Sequence, residues 1–273
     1  MVAPLLRAAG EPTQVIDVAT HFYDTSRPQG VPWPPPNETV LYKPSLPDRY
    51  LAAVQPYRVD GVVAIEASPW LEDNLWLLTL ADRTPLIRGV VGNIAPGHPD
   101  FRAALERFSR HPLWRGIRVS GANVGKYLAD AGMMGDLRFL MEKNGSLDIL
   151  VGAPAYEDIT KLSAALPDLR MMVGHLPLDN SGNIRALGAR RTVYGKVSGV
   201  VRKGDGQASL ALLDELWDVF GPERLVYASN WPTCDMIAPY PRVYRVMLDY
   251  MAGKPEAVRE SYFWRNATAV YRL

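Results

Sequence analysis

Short runs of Val, Ile and other apolar residues recur along the chain. Between them lie longer stretches in which apolar residues return every three or four positions. The short runs predict strands over 14–19, 61–67, 86–92, 116–120, 147–151, 169–175, 192–198 and 225–229. Their near-continuous apolar character is that of strands covered on both faces. The longer stretches predict helices over 46–54, 71–82, 100–111, 133–144, 156–166, 180–188, 208–220 and 241–251, with a closing helix over 255–271. Eight strand-then-helix units favour an α/β fold of the (β/α)₈ TIM barrel type. The expected organisation is a single domain over 1–273, with residues 1–13 as an N-terminal extension. An open doubly wound sheet would place a Gly-rich turn after its first strand, whereas this chain reads Thr20-His21-Phe22-Tyr23-Asp24 there.

Composition narrows the function classes. A chain of 273 residues is long for an ordinary domain but normal for a barrel of this kind, and 48% hydrophobic against 22% charged residues supply an ordinary core. With 30 basic and 29 acidic residues the net charge is +1, which offers no field for nucleic acid or an anionic membrane. The single cysteine, Cys234, excludes an intrachain disulfide and fits a reducing compartment. No signal peptide or membrane-spanning run is read, so a cytoplasmic location is expected. The Pro- and Trp-rich segment 23–42 is expected to form a pocket wall or a subunit contact, and barrels commonly pair, which leaves a homodimer open.

In a barrel, polar residues at the C-terminal ends of strands meet the substrate. His21 follows the first strand, and strict alternation would put Asp17, Ala19 and His21 on one face. Glu66 ends the second strand. Arg118 sits between Ile117 and Val119 in the fourth, where a guanidinium needs a carboxylate from the protein or from a ligand, so Glu66 is either its partner or an acid–base group. His175 ends the sixth strand, a good position for a base or a ligand. Lys196 lies in the seventh strand, as a salt-bridge partner or an electrophile, with Ser198 on the same face. Asn230 follows the eighth, able to donate and accept hydrogen bonds but not to act as a carboxylate base. Tyr23, Trp33, Trp70 and Trp231 are candidate pocket aromatics. His98 and His111 read as surface residues, and Cys234 as an inert thiol. There is no Gly-rich phosphate loop and no G-x-S-x-G elbow.

The order of a His-bearing first strand (Ile16-Asp17-Val18-Ala19-Thr20-His21-Phe22), an Arg in the fourth (Gly116-Ile117-Arg118), a His ending the sixth (Gly174-His175) and Ser-Asn-Trp-Pro after the eighth resembles the amidohydrolase-2 family, in particular its sugar-lactone and dicarboxylate-lactone hydrolases. The likeness runs from about Ile16 to the last helix. It implies a barrel with His-x-His on the first strand, a late His and an Asp ending the eighth strand. Those positions fall on Ala19, His21, His175 and Asn230, so two of the four side chains differ from the pattern. A catalytic zinc takes three protein ligands, and His21 and His175 are the only matching imidazoles, so the metal site reads as degenerate.

Three readings follow. The leading one is a metal-independent or weakly metal-binding hydrolase of a small carboxylated lactone or related ester. No cofactor would be required, and a single zinc at low occupancy on His21 and His175 is the variant of that reading. His21, His175, Arg118 and Asn230 would be catalytic, and Glu66, Trp70, Lys196, Tyr23 and Trp231 would contact the substrate. The second is a degenerate barrel that binds a small carboxylate or an active partner. The third is a decarboxylase or other lyase.

Overall fold

The computed structural model describes residues 11–150, 155–176, 184–201 and 209–273. Most of the expected N-terminal extension, the end of the fifth predicted strand at 151, and the starts of the helices predicted at 180 and 208 lie outside these residues.

All eight expected strands are present: β1 (Ile16–Thr20), β2 (Gly61–Ile65), β3 (Ile87–Gly92), β4 (Trp114–Ser120), β5 (Ser146–Leu150), β6 (Met171–Leu176), β7 (Val193–Val197) and β8 (Leu225–Tyr227). They pair in parallel in sequence order from β1 to β8. A parallel bridge between Thr20 and Trp231, with His21 N–H donating to the Trp231 carbonyl at 2.8 Å, brings β1 back to β8. The chain is therefore a (β/α)₈ barrel, as the alternation of strand and helix patterns predicts.

Helices follow the strands: α1 (Pro47–Ala53), α2 (Asp73–Asp82), α3 (Phe101–Ser109), α4 (Val124–Ala129), α5 (Ala131–Glu142), α6 (Tyr156–Ala165), α7 (Arg185–Gly188), α8 (Leu210–Phe220), α9 (Tyr240–Ala252), α10 (Glu256–Glu260) and α11 (Asn266–Tyr271). In α3 the buried residues Phe101, Ala104, Leu105 and Phe108 make the stripe that faces the sheet. The helix expected at 133 begins two residues earlier, because the Asp130 carboxylate caps it by accepting from Met133 N–H at 2.9 Å. Helix α4 was not expected, since six residues are too few to show a period. The closing helix is broken by a π-helical segment, Ser261–Arg265, between α10 and α11. No helix among the described residues is long and apolar enough to cross a membrane.

Alternation along the strands sorts side chains into two layers. Val62, Ala64, Ile117, Leu147, Ile149, Val173, Val197 and Tyr227 pack outward under the helices. Ile16, Val18, Val63, Ile65, Val91, Met172 and Val226 fill the barrel, where Ala267, Val270 and Tyr271 of α11 join them. Arg118, Asp148 and Lys196 have the inward parity of β4, β5 and β7, so charged side chains enter the barrel at the level where ligands are met.

Strand β1 departs from the alternation. Its register with β2 shifts between Asp17 and Thr20, so Val18 and Ala19 both belong to the interior cluster. Asp17 is consequently not on the face of His21. It lies buried toward the helices, accepting from Ser229 N–H at 2.9 Å, Ser229 Oγ–H at 2.5 Å, Tyr50 O–H at 3.0 Å and Ala19 N–H at 3.2 Å. It knits β1 to β8 and α1.

Candidate active site

A cleft of about 380 Å³ opens at the C-terminal ends of the strands, lined by His21, Trp33, Glu66, Ala67, Ser68, Pro69, Asn93, Arg118, Leu150, His175, Asn230 and Thr233. All four residues expected to carry chemistry, and Glu66, therefore share one space. Lys196 lies beneath it, lining a smaller cavity of about 20 Å³ with Ala19, His21, Arg118, Asp148 and His175. Because His21, Arg118, Leu150 and His175 line both spaces, the small cavity is the floor of the cleft.

Not every aromatic candidate reaches the cleft. Trp231 is fully buried outside it, against Phe22 and Tyr50 with the Arg49 guanidinium over its ring, because the bridge to Thr20 turns the indole away. Trp70 is 40% exposed and outside the lining, its backbone N–H donating to Ser68 Oγ. Tyr23 lines an adjoining recess; its hydroxyl donates to the Leu41 carbonyl at 2.8 Å and its ring meets Trp33 at 5.5 Å. Trp33 itself forms a wall, with its ring 6.1 Å from that of His21. The loop carrying it is clamped by the Arg27–Asp73 ion pair at 2.7 Å, with Arg27 also over the Trp76 ring. His98 is exposed, and His111 sits on Asp82 at 3.1 Å, away from the cleft. Burial pushes the Cys234 thiol well above its ordinary range, which leaves it unreactive.

His21 Nδ1 lies 3.1 Å from the Ile65 carbonyl and 3.3 Å from the Glu66 carbonyl. Carbonyls only accept, so the proton of the neutral ring resides on Nδ1 and Nε2 carries a lone pair. That lone pair meets the Asn230 carboxamide, with Oδ1 at 3.3 Å. A half-turn of the amide puts its NH₂ there instead, the orientation that pairs a donor with the lone pair. With the proton on Nδ1, an amide can make this contact through its NH₂, whereas a carboxylate would set an acceptor against the Nε2 lone pair. His175 binds Ser198 Oγ through Nδ1 at 3.1 Å, and its Nε2 has no partner among the described residues. His175 and Asn230 both hold left-handed backbone, with φ of 64° and 61°. Such strain in non-glycine residues collects at functional sites.

Both imidazoles are held neutral. Burial first, and then the charge of Arg118 and the neighbouring His175, lower the His21 pKa to about 3. Burial first, followed by Arg118 and Lys196, lowers His175 to about 4. Arg118 spends Nε on Glu66 Oε1 at 2.8 Å and Nη2 on the Glu66 carbonyl at 2.9 Å, which leaves Nη1 uncommitted. The expected pairing of Glu66 with Arg118 is thus present, and it orients the guanidinium rather than consuming it. Lys196 Nζ donates to Asp148 Oδ2 at 2.5 Å, and Tyr271 O–H donates to the same carboxylate at 2.8 Å. Burial lowers the Lys196 pKa against the opposing pull of Asp148.

The sequence reading missed Asp148, Ser68, Asn93 and Thr233. Asp148 was findable by the argument that found Arg118, a charge between apolar residues in a buried strand. Asn93 is placed by Asn74 of α2, which accepts from its N–H and donates to its carbonyl, both at 2.8 Å, and no sequence spacing reveals that contact.

The chain resembles known proteins over nearly its whole length. The amidohydrolase family profile matches residues 16–273. An L-fucono-1,5-lactonase of Burkholderia multivorans is 26% identical over 93% of this chain and 94% of its own length. An amidohydrolase structure from Burkholderia multivorans with bound zinc superposes with a TM-score of 0.84 at 24% identity, covering 95% of this chain and 99% of that one. A putative 2-pyrone-4,6-dicarboxylic acid hydrolase from Pseudomonas putida gives 0.72 at 23% identity, covering 95% and 97%.

The donor set here does not fit a catalytic zinc of the usual kind. Among the described residues no three of His, Cys, Asp and Glu come together as a metal cage, and Ala19 offers no ligand atom. The match of the profile from the first strand onward, on a barrel whose polar side chains converge at the strand ends, settles the family: the chain belongs to the amidohydrolase family and is a hydrolase.

Proposed function

We propose that this chain hydrolyses a small lactone, or a related ester, bearing a carboxylate, and does so without a metal ion. The observation that carries the reading is the convergence of one uncommitted imidazole nitrogen, His175 Nε2, and one uncommitted guanidinium nitrogen, Arg118 Nη1, on a single cleft. The relatives named as L-fucono-1,5-lactonases support a lactone as the substrate.

Water attacks the ring carbonyl carbon and its proton passes to His175 Nε2. The carbonyl electron pair moves onto oxygen, where Arg118 Nη1 and the second amide proton of Asn230 receive the charge. Collapse reforms the carbonyl, breaks the ring C–O bond and returns the proton from His175 to the leaving alkoxide, giving a hydroxy acid. A base with pKa near 4 is weak, which suits a reactive lactone better than an amide.

His175→Ala is expected to keep its thermal unfolding midpoint within a few degrees and to lose on the order of 10²-fold or more in kcat, the usual scale for a general base. Protein dialysed against chelator, and free of metal by elemental analysis, should turn over a lactone panel at the rate of undialysed protein. A stoichiometric metal whose removal abolishes turnover, or full activity in His175→Ala, would sink this mechanism.

A further inference from the structure

We infer that the cavity beside Ala19 seats the hydrolytic water and that the Lys196 ammonium, donating to that water, is the cation that polarises it. The inference rests on the hydrolase reading above and goes beyond it by assigning the position of the nucleophile and a role to a charge which that mechanism leaves idle.

The cavity has the right size and lining. Its volume of about 20 Å³ admits one water, and a buried water needs two to four polar partners. Lys196 and His175 offer it polar partners, His21, Arg118 and Asp148 also border it, the rest of the lining is apolar (Ile65, Ile149, Leu150 and Met172 among it), and no larger side chain occupies the space because residue 19 is alanine. It lies directly under the cleft, so a water there faces a carbonyl bound above. Its wall includes His175, whose Nε2 is uncommitted and takes the proton.

Lys196 is built for the role. Of its three N–H groups one is held by Asp148; the ammonium also lies over the Tyr271 ring, 5.5 Å from its centroid, and no second hydrogen-bond acceptor among the described residues reaches it. Asp148 is fixed in turn by Tyr271 from the opposite end of the barrel, so the ammonium is anchored from below with donors to spare. A lysine that served only to neutralise Asp148 would not need to border a space shared with both imidazoles. The ammonium stays protonated throughout. It donates to the water oxygen, the oxygen forms its bond to the carbonyl carbon with its other electron pair, and the departing proton goes to His175.

The test uses lactone turnover by the full chain. Lys196→Met is expected to lower kcat by about 10²-fold or more, the scale of losing one oriented donor, with KM within about threefold because the residue lies beneath the substrate. The double variant Lys196→Met/Asp148→Asn removes the charge pair without stranding a carboxylate. It should regain the unfolding midpoint of the parent while its kcat stays low. Ala19→Val, which fills the cavity, should likewise lower kcat at unchanged KM. Recovery of kcat in the double variant would show that Lys196 only balances Asp148 and would overturn the inference, as would full kcat in Ala19→Val. A parent protein inactive on every lactone would instead defeat the lactone reading of the proposed function.

Discussion

Replacing Arg118 with alanine should lower kcat/KM for the best lactone substrate by on the order of 10²- to 10³-fold, the range lost with one donor to a developing oxyanion. The guanidinium lines the cleft and is aimed by two hydrogen bonds to Glu66, so its remaining nitrogen is held in place before substrate arrives. Pre-organised donors of this kind need no rearrangement as charge develops. The substitution also leaves the largely buried Glu66 carboxylate without its partner, and a stranded charge of that sort costs about 3–5 kcal/mol. The rate effect is separated from the folding effect by Arg118→Met combined with Glu66→Gln. That protein should unfold near the parent temperature and remain as slow as Arg118→Ala. Recovered turnover in the double variant would show that Arg118 matters only as the partner of Glu66.

Asp17→Ala should be the most destabilising single change among the residues discussed, at about 4 kcal/mol near pH 4. It strands Ser229 N–H, Ser229 Oγ and Tyr50 O–H in a fully buried setting, and each unsatisfied group costs about 1–3 kcal/mol. Burial raises the Asp17 pKa from 3.8 to about 6, outweighing the hydrogen bonds from Ser229, Ala19 and Tyr50 that lower it. The folded state therefore holds a proton that the unfolded chain has already released. The stability contributed by Asp17 is full below pH 3.8 and declines as pH rises toward 6. In denaturant titrations the gap between parent and Asp17→Ala should narrow by about 2 kcal/mol between pH 4 and pH 7. A gap that widened over that interval would mean that Asp17 is held as a stabilised anion. The two imidazoles titrate with the opposite sign, because their pKa values are depressed, and comparing parent with variant at each pH cancels them.

The barrel was legible because its two signals are local. Apolar runs mark strands buried on both faces, and the three-to-four repeat marks the helices over them. The same alternation that made Arg118 conspicuous in β4 also applies to Lys196 in β7 and Asp148 in β5. What periodicity could not give was the bulge in β1. One shifted residue moves Asp17 to the helix side and brings Ala19 inward, an outcome decided by pairing with β2 rather than by composition. Trp231 was misplaced for a related reason: its backbone completes the ring of strands, so its indole points into the aromatic layer and not toward the ligand. The pairing of His21 with Asn230 joins residues 209 positions apart, and no spacing rule reaches that far.

The bond from Tyr271 to Asp148 spans 123 positions of sequence, and within that span Asp148 anchors Lys196 across 48 positions. Closing loops of that length is entropically slow, and it dominates the folding time of proteins rich in distant contacts. The floor of the cleft cannot acquire its final charge arrangement until α11 has docked against the barrel. In refolding, native helix and strand content should accordingly return before catalytic competence does, because the last helix supplies the hydroxyl that pins the central carboxylate.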